Sequence, residues 1–279
     1  MTVLSAKFNC NTGDEIEGWA DHDKKAKYPI YRLNYLRPKI VNSRSIFHSL
    51  FLLLFVDFPL KVKVFLKVMK IIKKNNIKVI CIGDLNSLSW VGKWIKPFHK
   101  IKIINYIHGE EVTTEANYSR FKNARANYLK SADAIIAVST FTRDYLINRF
   151  RLDPNKIIVI PNGVDNGKFS PKNKEENKKF LRKRYNLSDK KVFVTVGRLV
   201  FRKGIDTVLY SLPTVLKKHP DAHYVIVGSG PIRKQLESII DKLQISSSVT
   251  FAGNIDDSEL IAHYHLADVF IMPNRTMPD

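Results

Sequence analysis

The chain has 279 residues, which is enough for two domains or for one large domain. Its 46 lysines and arginines outnumber its 26 aspartates and glutamates, and the formal charge of +20 indicates an anionic partner: nucleic acid, an anionic membrane or a phosphorylated substrate. We expect no nucleic acid, because the sequence has no zinc-finger spacing, no aromatic RNA-binding signature and no basic region followed by heptads.

Cysteine usage and the distribution of apolar residues restrict the cellular compartment. Cys10 and Cys81 lie far apart and in no metal-binding or redox motif, which favours two reduced thiols in a cytoplasmic protein. The N-terminal sequence does not have the basic and apolar regions of a signal peptide. Polar residues and a proline interrupt the most apolar segment, 46–60, which is shorter than the roughly 20 residues of a spanning helix. We therefore expect a cytoplasmic protein, either soluble or peripheral at the inner face of the membrane.

The first regular elements are an apolar run at 3–6, a strand-like segment at 29–33 and a helix from Pro59. In this helix, apolar residues recur at helical spacing over 62–72, and lysines line up opposite them: Lys63, Lys67, Lys70 and Lys74. No acidic residue occurs between Asp57 and Asp84. Two interpretations stay open: an ordinary packed helix with a solvated lysine face, or a helix lying on an anionic bilayer.

Strands and helices then alternate regularly. The sequence predicts strands at 78–82, 101–107, 134–138 and 156–160, with helices near 87–97, 115–130 and 141–150 between them. This alternation indicates a parallel sheet with right-handed crossovers, whose ligands gather at the carboxyl ends of the strands. His108, Gly109 and Glu110 follow one of these strands directly.

A turn signal, Asn162-Gly163, separates this region from a second set of elements and is the predicted hinge. We place the domain boundary just after it, with one domain at 1–165 and the other at 166–279. The segment 167–191 is strongly basic and is predicted to be a solvated linker followed by a basic helix, with no site.

Two turns of the second domain have the composition of anion-binding loops. Strand 192–196 leads into a loop with three cations, Arg198, Arg202 and Lys203, directly before a helix predicted at 204–218. The N–H groups and dipole of a helix N-terminus add to the positive field of such cations. Strand 224–227 leads into Gly228 and Gly230, which would allow the backbone to approach a ligand closely, and the next helix begins at a proline. A helix to about 243, a strand at 249–251, a helix at 258–266 and a strand at 269–272 follow.

Three motifs in this order, GRLVFRKG, PDAHYVIVGSGP and VTFAGNIDDSELIAHYHLADVFIMPNR, resemble the donor half of a glycosyltransferase family 4 enzyme. The resemblance implies an α/β protein with the GT-B fold, which has two Rossmann-like domains with parallel sheets. It implies that Arg198 and Lys203 grip the diphosphate of a sugar nucleotide. It also implies that Gly228, Gly230 and Ile255 lie against the nucleotide.

The resemblance assigns the first domain to the acceptor side. It implies that His108 is a catalytic residue, which approaches the transferred sugar or the acceptor and positions a hydroxyl group. It also implies that Glu110 lies near the acceptor. Asp256 and Asp257 are expected to favour the helix that follows them rather than to bind a metal. We therefore expect a nucleoside diphosphate sugar as donor substrate, with no metal and no cofactor.

Two features of the family have no counterpart in this sequence. Gly13 and Gly18 lie in a polar segment, so the glycine-rich turn after the family's first strand is missing, and no Glu-x7-Glu motif follows Arg275. We therefore expect both domains to be incomplete.

Two functions stay open. The first is a retaining glycosyltransferase that acts on a cell-surface glycan or glycolipid, and the alternative is an inactive truncated remnant that binds only nucleotide or membrane. A nucleotide-sugar epimerase or a phosphorylase is less favoured, because the RKG turn argues against the former and no cofactor-lysine motif supports the latter.

Overall fold

Parallel sheets form the framework of both halves of the chain in the computed structural model, which describes residues 1–10, 12–38, 46–113 and 124–275. The chain divides into two units by its internal contacts: Met1–Asn162, called here the N-terminal unit, and Gly163–Asp279, called the C-terminal unit.

The described part of the N-terminal unit contains two separate parallel sheets. Strand β1 (Val3–Ala6) pairs with β2 (Ile30–Leu33). The larger sheet has the order β3-β4-β5-β6, with strands Val79–Ile82, Lys102–Ile107, Ala134–Ala137 and Ile157–Val159. The helices of this unit are α1 (Trp19–Lys25), α2 (Ile46–Leu52), α3 (Phe58–Asn75), α4 (Leu85–Ile95), α5 (Glu110–Thr113), α6 (Ala124–Ser131) and α7 (Thr140–Phe150).

Helix α3 does not begin at Pro59, as the sequence predicted. A π-helical turn, Leu53–Asp57, connects α2 to α3, which begins at Phe58. Asp57 makes no side-chain capping hydrogen bond, so the three segments form one continuous helical stretch that includes Pro59. A proline has no N–H to donate and its ring clashes with the carbonyl four residues earlier. The π turn changes the hydrogen-bond register directly before Pro59, where the N–H of Phe58 donates to the carbonyl of Leu53. The predicted lysine face is present, with Lys63, Lys70 and Lys74 exposed. The ammonium groups of Lys67 and Lys74 lie 5.2 and 5.8 Å from the ring centre of Tyr31.

Part of the predicted apolar stripe of α3 is confirmed, because Ile72 is buried and Phe65 and Met69 pack against the same core cluster. Val64 and Val68 are buried against Trp90 and Ile95 of α4 and against Ile103 of β4, whereas Leu66 is 61% exposed. Across the described ranges, no helix combines the length and the apolarity needed to cross a bilayer.

Up to residue 275, the C-terminal unit has one parallel sheet with the order β10-β7-β8-β9. Its strands are β7 (Lys191–Val196), β8 (Ala222–Val227), β9 (Val249–Gly253) and β10 (Val269–Phe270). Its helices are α8 (Lys174–Arg184), α9 (Ile205–Lys218), α10 (Arg233–Leu243) and α11 (Asp257–Leu266). Every residue of β8 is buried, as expected of a strand covered on both faces.

The basic segment that was predicted to be solvated carries part of the core. Leu181 of α8 is completely buried and packs in one cluster with Val192, Val225 and Leu266. Arg184 makes two hydrogen bonds to Glu259 of α11, at 3.1 and 2.8 Å. Helix α8 is therefore amphipathic, with charged residues around a narrow apolar stripe.

Candidate functional site

The loop after β7 positions Lys203 close to the end of that strand. It forms a short 3-10 turn, Phe201–Lys203, and Gly204 then adopts a φ of 67° before α9 begins at Ile205. A Cβ atom built on Gly197 would lie 3.6 Å from Cε and 4.0 Å from Nζ of Lys203, so the lysine side chain folds back over Gly197. The Lys203 ammonium therefore lies at the carboxyl edge of the sheet, near the N-terminus of α9.

Backbone hydrogen bonds join this loop to the glycine turn after β8. The N–H of Gly197 donates to the carbonyl of Val227 and that of Leu199 donates to Ser229, both at 2.9 Å. The side chain of Leu199 is completely buried and anchors the loop, whereas Arg198 beside it is exposed. The structure thus brings the two predicted anion-binding turns together at one edge of the sheet.

The structure gives a reason for both glycines of the second turn that differs from the one predicted. Gly228 has a φ of 130°, and a Cβ there would overlap the carbonyl oxygen of Gly197. A Cβ at Gly230 would overlap the backbone of Leu199. Glycine is therefore required where the two turns pack against each other, whether or not a ligand also approaches them.

Ile255 lies in the loop between β9 and α11. Its side chain is partly buried and packs against the cluster that contains Leu181 and Val227. Asp256 is the N-cap residue of α11, but its side chain makes no capping hydrogen bond. Instead, its backbone carbonyl accepts hydrogen bonds from Glu259 and Leu260. Asp257 begins the helix, and its side chain lies outside the described part of the structure.

His108 follows β4 in the N-terminal unit, at the end of the strand where the sequence predicted it. Its side chain is exposed, with its ring centre 4.9 Å from that of Tyr106. Its backbone N–H donates to Oε1 of Glu111 at 2.6 Å. Glu110 begins α5, but its side chain lies outside the described part of the structure.

The backbone beside His108 depends on a glycine. Gly109 has a φ of 109°, and a Cβ there would lie 3.2 Å from Oγ1 of Thr142. Thr142 is buried at the start of α7, where its N–H donates to the capping oxygen of Ser139 at 3.1 Å. The capping role predicted for Ser139 or Thr140 thus belongs to Ser139.

Sequence reasoning missed the residues that complete the loop around Lys203. A Cβ at Gly204 would overlap the carbonyl oxygen of Pro273, and the N–H of Arg275 donates to the carbonyl of Arg202 at 3.0 Å. These residues follow β10, which pairs with β7, but the contact joins segments distant in sequence and no local pattern indicated it. Within the described ranges, no group of three or more histidine, cysteine or acidic side chains is arranged to hold a metal ion.

Two family models match the chain. The model of Glycosyltransferase Family 4 matches residues 22–168, and the model of Glycosyl transferases group 1 matches residues 177–276.

Curated relatives match over most of this chain. It is 32% identical over 211 residues to the GDP-mannose-dependent alpha-(1-6)-phosphatidylinositol monomannoside mannosyltransferase of Mycolicibacterium smegmatis, a match that covers 74% of this chain and 53% of the relative. It is 31% identical over 217 residues to the alpha-monoglucosyldiacylglycerol synthase of Streptococcus pneumoniae, with coverage of 74% and 49%. The chain thus spans about half the length of the curated relatives it matches.

Solved structures of low sequence identity share the fold. HepE of Anabaena, solved with UDP, superimposes with a TM-score of 0.70 at 16% identity, covering 98% of this chain and 74% of HepE. Sucrose-phosphate synthase of Thermosynechococcus elongatus gives a TM-score of 0.67 at 21% identity, with coverage of 98% and 65%. The chain therefore belongs to glycosyltransferase family 4, and its parallel sheets are the Rossmann-like sheets of the GT-B fold.

Proposed function

We propose that this protein is a retaining glycosyltransferase that transfers a sugar from a nucleoside diphosphate sugar to a glycolipid or another cell-surface glycan. Its relatives support the choice of substrates. The name of the mycobacterial relative specifies GDP-mannose as donor and a phosphatidylinositol monomannoside as acceptor. The pneumococcal relative is named for the synthesis of a glucosylated diacylglycerol. A lipid-bearing acceptor is therefore the acceptor we favour.

One observation supports the donor site most strongly: the backbone joins the β7 and β8 turns and places Lys203 at the edge where they meet. Sugar transfer from a nucleoside diphosphate builds negative charge on the departing diphosphate. Fixed positive groups stabilise that charge without having to reorganise during the reaction. We assign this role to Arg198, Lys203 and the N-terminus of α9, and no step of the proposal requires a metal ion.

Gly228, Gly230 and Ile255 are the proposed contacts of the nucleotide, and His108 is the proposed contact of the transferred sugar or the acceptor. An exposed imidazole at the end of a parallel strand is suited to hydrogen-bond a hydroxyl group. Glu110 remains a proposed neighbour of the acceptor. In this mechanism His108 orients a hydroxyl group, and the positive groups of the C-terminal unit stabilise the leaving diphosphate.

Incubation of the full chain with labelled GDP-mannose and UDP-glucose, with and without phosphatidylinositol monomannoside and diacylglycerol acceptors, tests this function. We expect a glycolipid product whose anomeric configuration matches that of the donor. Nucleotide binding without transfer or hydrolysis would instead support a remnant that only binds nucleotide. The absence of nucleotide binding would contradict the proposed donor site itself.

A membrane surface is the second proposed partner, and the region around α2 and α3 supports it. Large apolar side chains are exposed along this region, including Phe47 at 87%, Phe55 at 66% and Leu66 at 61%. The lysine face formed by Lys63, Lys67, Lys70 and Lys74 lies on the same helical segment. Apolar side chains that enter the acyl region and lysines that meet anionic headgroups are the two components of interfacial helix binding.

Cosedimentation with phosphatidylcholine vesicles, with and without phosphatidylglycerol, tests the membrane contact. We expect the double change Lys63→Glu and Lys70→Glu to remove the preference for phosphatidylglycerol. Changing Phe47 and Phe55 to serine should weaken binding to both kinds of vesicle. The double change Lys217→Glu and Lys218→Glu, in the last turn of α9, is the matched charge control, and an equal loss in that variant would contradict a specific surface.

A further inference from the structure

The segment that follows β10 packs against the loop that carries Lys203. The N–H of Arg275 donates to the carbonyl of Arg202, inside the 3-10 turn. The carbonyl of Pro273 lies so close to Gly204 that no side chain would fit there. Two backbone contacts therefore fix the segment on the residues immediately before and after Lys203.

The side chain of Arg275 joins the same loop to the first turn of α9. Its Nη2 donates to the carboxylate of Asp206 and, at 2.8 Å, to Oγ1 of Thr207. Its guanidinium carbon lies 4.2 Å from the ring centre of Phe201, the first residue of the 3-10 turn. One side chain thus contacts the structure on both sides of Lys203.

The ion pair with Asp206 also changes the charge near the proposed diphosphate site. The Asp206 carboxylate lies in the first turn of α9, where a negative charge stabilises the helix but opposes the binding of an anion at its N-terminus. The side chains of Asp206 and Arg275 are only 13% and 27% exposed, so solvent screens the carboxylate weakly. Arg275 offsets this charge at the position where the proposed site needs a positive field.

We propose that Arg275 is a positioning residue of the donor site. It holds the loop that carries Lys203 and neutralises Asp206, so that the lysine ammonium faces a diphosphate and not a neighbouring carboxylate. Arg275 itself need not touch the nucleotide. This inference rests on the proposed function, because it presupposes that Lys203 binds the diphosphate.

Calorimetric titration of the full chain with GDP, UDP and inorganic pyrophosphate tests the role of Arg275. Arg275→Met keeps the apolar stem and removes the charge, and we expect it to weaken binding about tenfold. Arg275→Lys keeps the charge and should stay within about threefold of the unchanged protein. Adding Asp206→Asn to Arg275→Met should restore most of the lost affinity, because the uncompensated carboxylate is then gone.

A purely structural arginine gives a different pattern. In that case the double variant would bind no better than Arg275→Met and would melt at a lower temperature, which would overturn the proposal. Should Arg275→Met fail to fold, Asp206→Asn alone decides: we expect equal or up to about threefold tighter binding, and weaker binding would contradict the charge argument.

The donor site and the role of Arg275 can be tested separately. If the unchanged protein binds no nucleotide, or if Lys203→Ala does not weaken binding, the donor site itself is wrong. If Lys203→Ala weakens binding while Arg275→Met does not, only the role of Arg275 is wrong.

Discussion

The loop after β7 and the strand end after β4 position their candidate functional groups in different ways. In the C-terminal unit, backbone hydrogen bonds, two tightly packed glycines and a buried leucine determine where Lys203 lies. In the N-terminal unit, His108 is an exposed side chain that follows the strand, and its imidazole lies beside the ring of Tyr106. The position of Lys203 is therefore determined by backbone packing, whereas His108 can be substituted with little loss of stability.

Substitution of Gly228 by alanine is expected to have the largest effect. The new Cβ would overlap the carbonyl of Gly197 at a φ of 130°, so the two turns must separate. We expect a loss of about 3 kcal/mol or more in the free energy of unfolding, measured by urea denaturation, together with the loss of nucleotide binding.

Gly83→Ala is the matched control for this change. Gly83 is exposed, and nothing lies within 4 Å of a Cβ built there. We expect its free energy of unfolding to change by less than about 0.5 kcal/mol. Equal effects of the two substitutions would contradict the account of how the turns pack.

His108→Ala is expected to separate catalysis from donor binding. Because His108 is proposed to orient a hydroxyl group, its removal should lower kcat about 10- to 100-fold. Affinity for GDP or UDP should stay within about twofold and the thermal midpoint should not change, because the imidazole is exposed. A parallel loss of nucleotide affinity would show that the histidine is not specific to the transfer step.

Acidification is expected to destabilise the C-terminal unit through His223. The imidazole is buried in β8, its Nε2 pairs with Oγ1 of Thr250 at 2.8 Å, and its Nδ1 has no hydrogen-bond partner among the residues that the structure describes. Burial lowers the pKa of His223 from 6.5 to about 4. The unfolded chain therefore binds a proton between these values that the folded chain does not, so stability falls as the pH drops below about 6.5.

At pH 5 the expected loss from this histidine is about 2 kcal/mol relative to pH 7. Urea denaturation at both pH values measures it, and His223→Gln should reduce the difference. Burial also lowers the pKa of His263, so the variant should not abolish the difference completely. An unchanged pH dependence in His223→Gln would contradict the assignment.

Removal of divalent metal is expected to have the smallest effect. Since the proposed donor site uses Arg198, Lys203 and a helix N-terminus to bind the diphosphate, EDTA should change nucleotide affinity less than about twofold. Calorimetry with and without EDTA measures this directly. A large loss with EDTA, restored by added magnesium, would show that the donor site depends on a metal ion.

Local sequence patterns predicted part of the fold and part of the candidate site. The strands of the larger sheets were predictable because each is a short apolar run. The basic turn after β7 and the glycine turn after β8 were predictable because each is a local pattern. Strand β8 begins two residues before the predicted position, at Ala222, because the polar His223 finds a buried partner in Thr250 on the next strand. No local pattern contains that contact.

Other features were not predictable because they depend on residues distant in sequence or on geometry within one helix. Arg275 pairs with Asp206 across 69 positions, and Arg184 pairs with Glu259 across 75. The start of α3 was wrong because a proline usually marks the first turn of a helix, whereas here a π turn accommodates it. The predicted helix at 115–130 is described only from Ala124, and residues 114–123 lie outside the described residues.

Calorimetric titration of the full chain with GDP and UDP, in the unchanged protein and in Lys203→Ala, Arg198→Ala and Lys218→Ala, tests the central claim most directly. If the loop after β7 binds the diphosphate, Lys203→Ala and Arg198→Ala should each weaken binding by about 1–3 kcal/mol, the usual size for a charged hydrogen bond. Lys218→Ala, which removes the same charge at the opposite end of α9, should leave affinity unchanged. Equal affinities in all four proteins would contradict the claim.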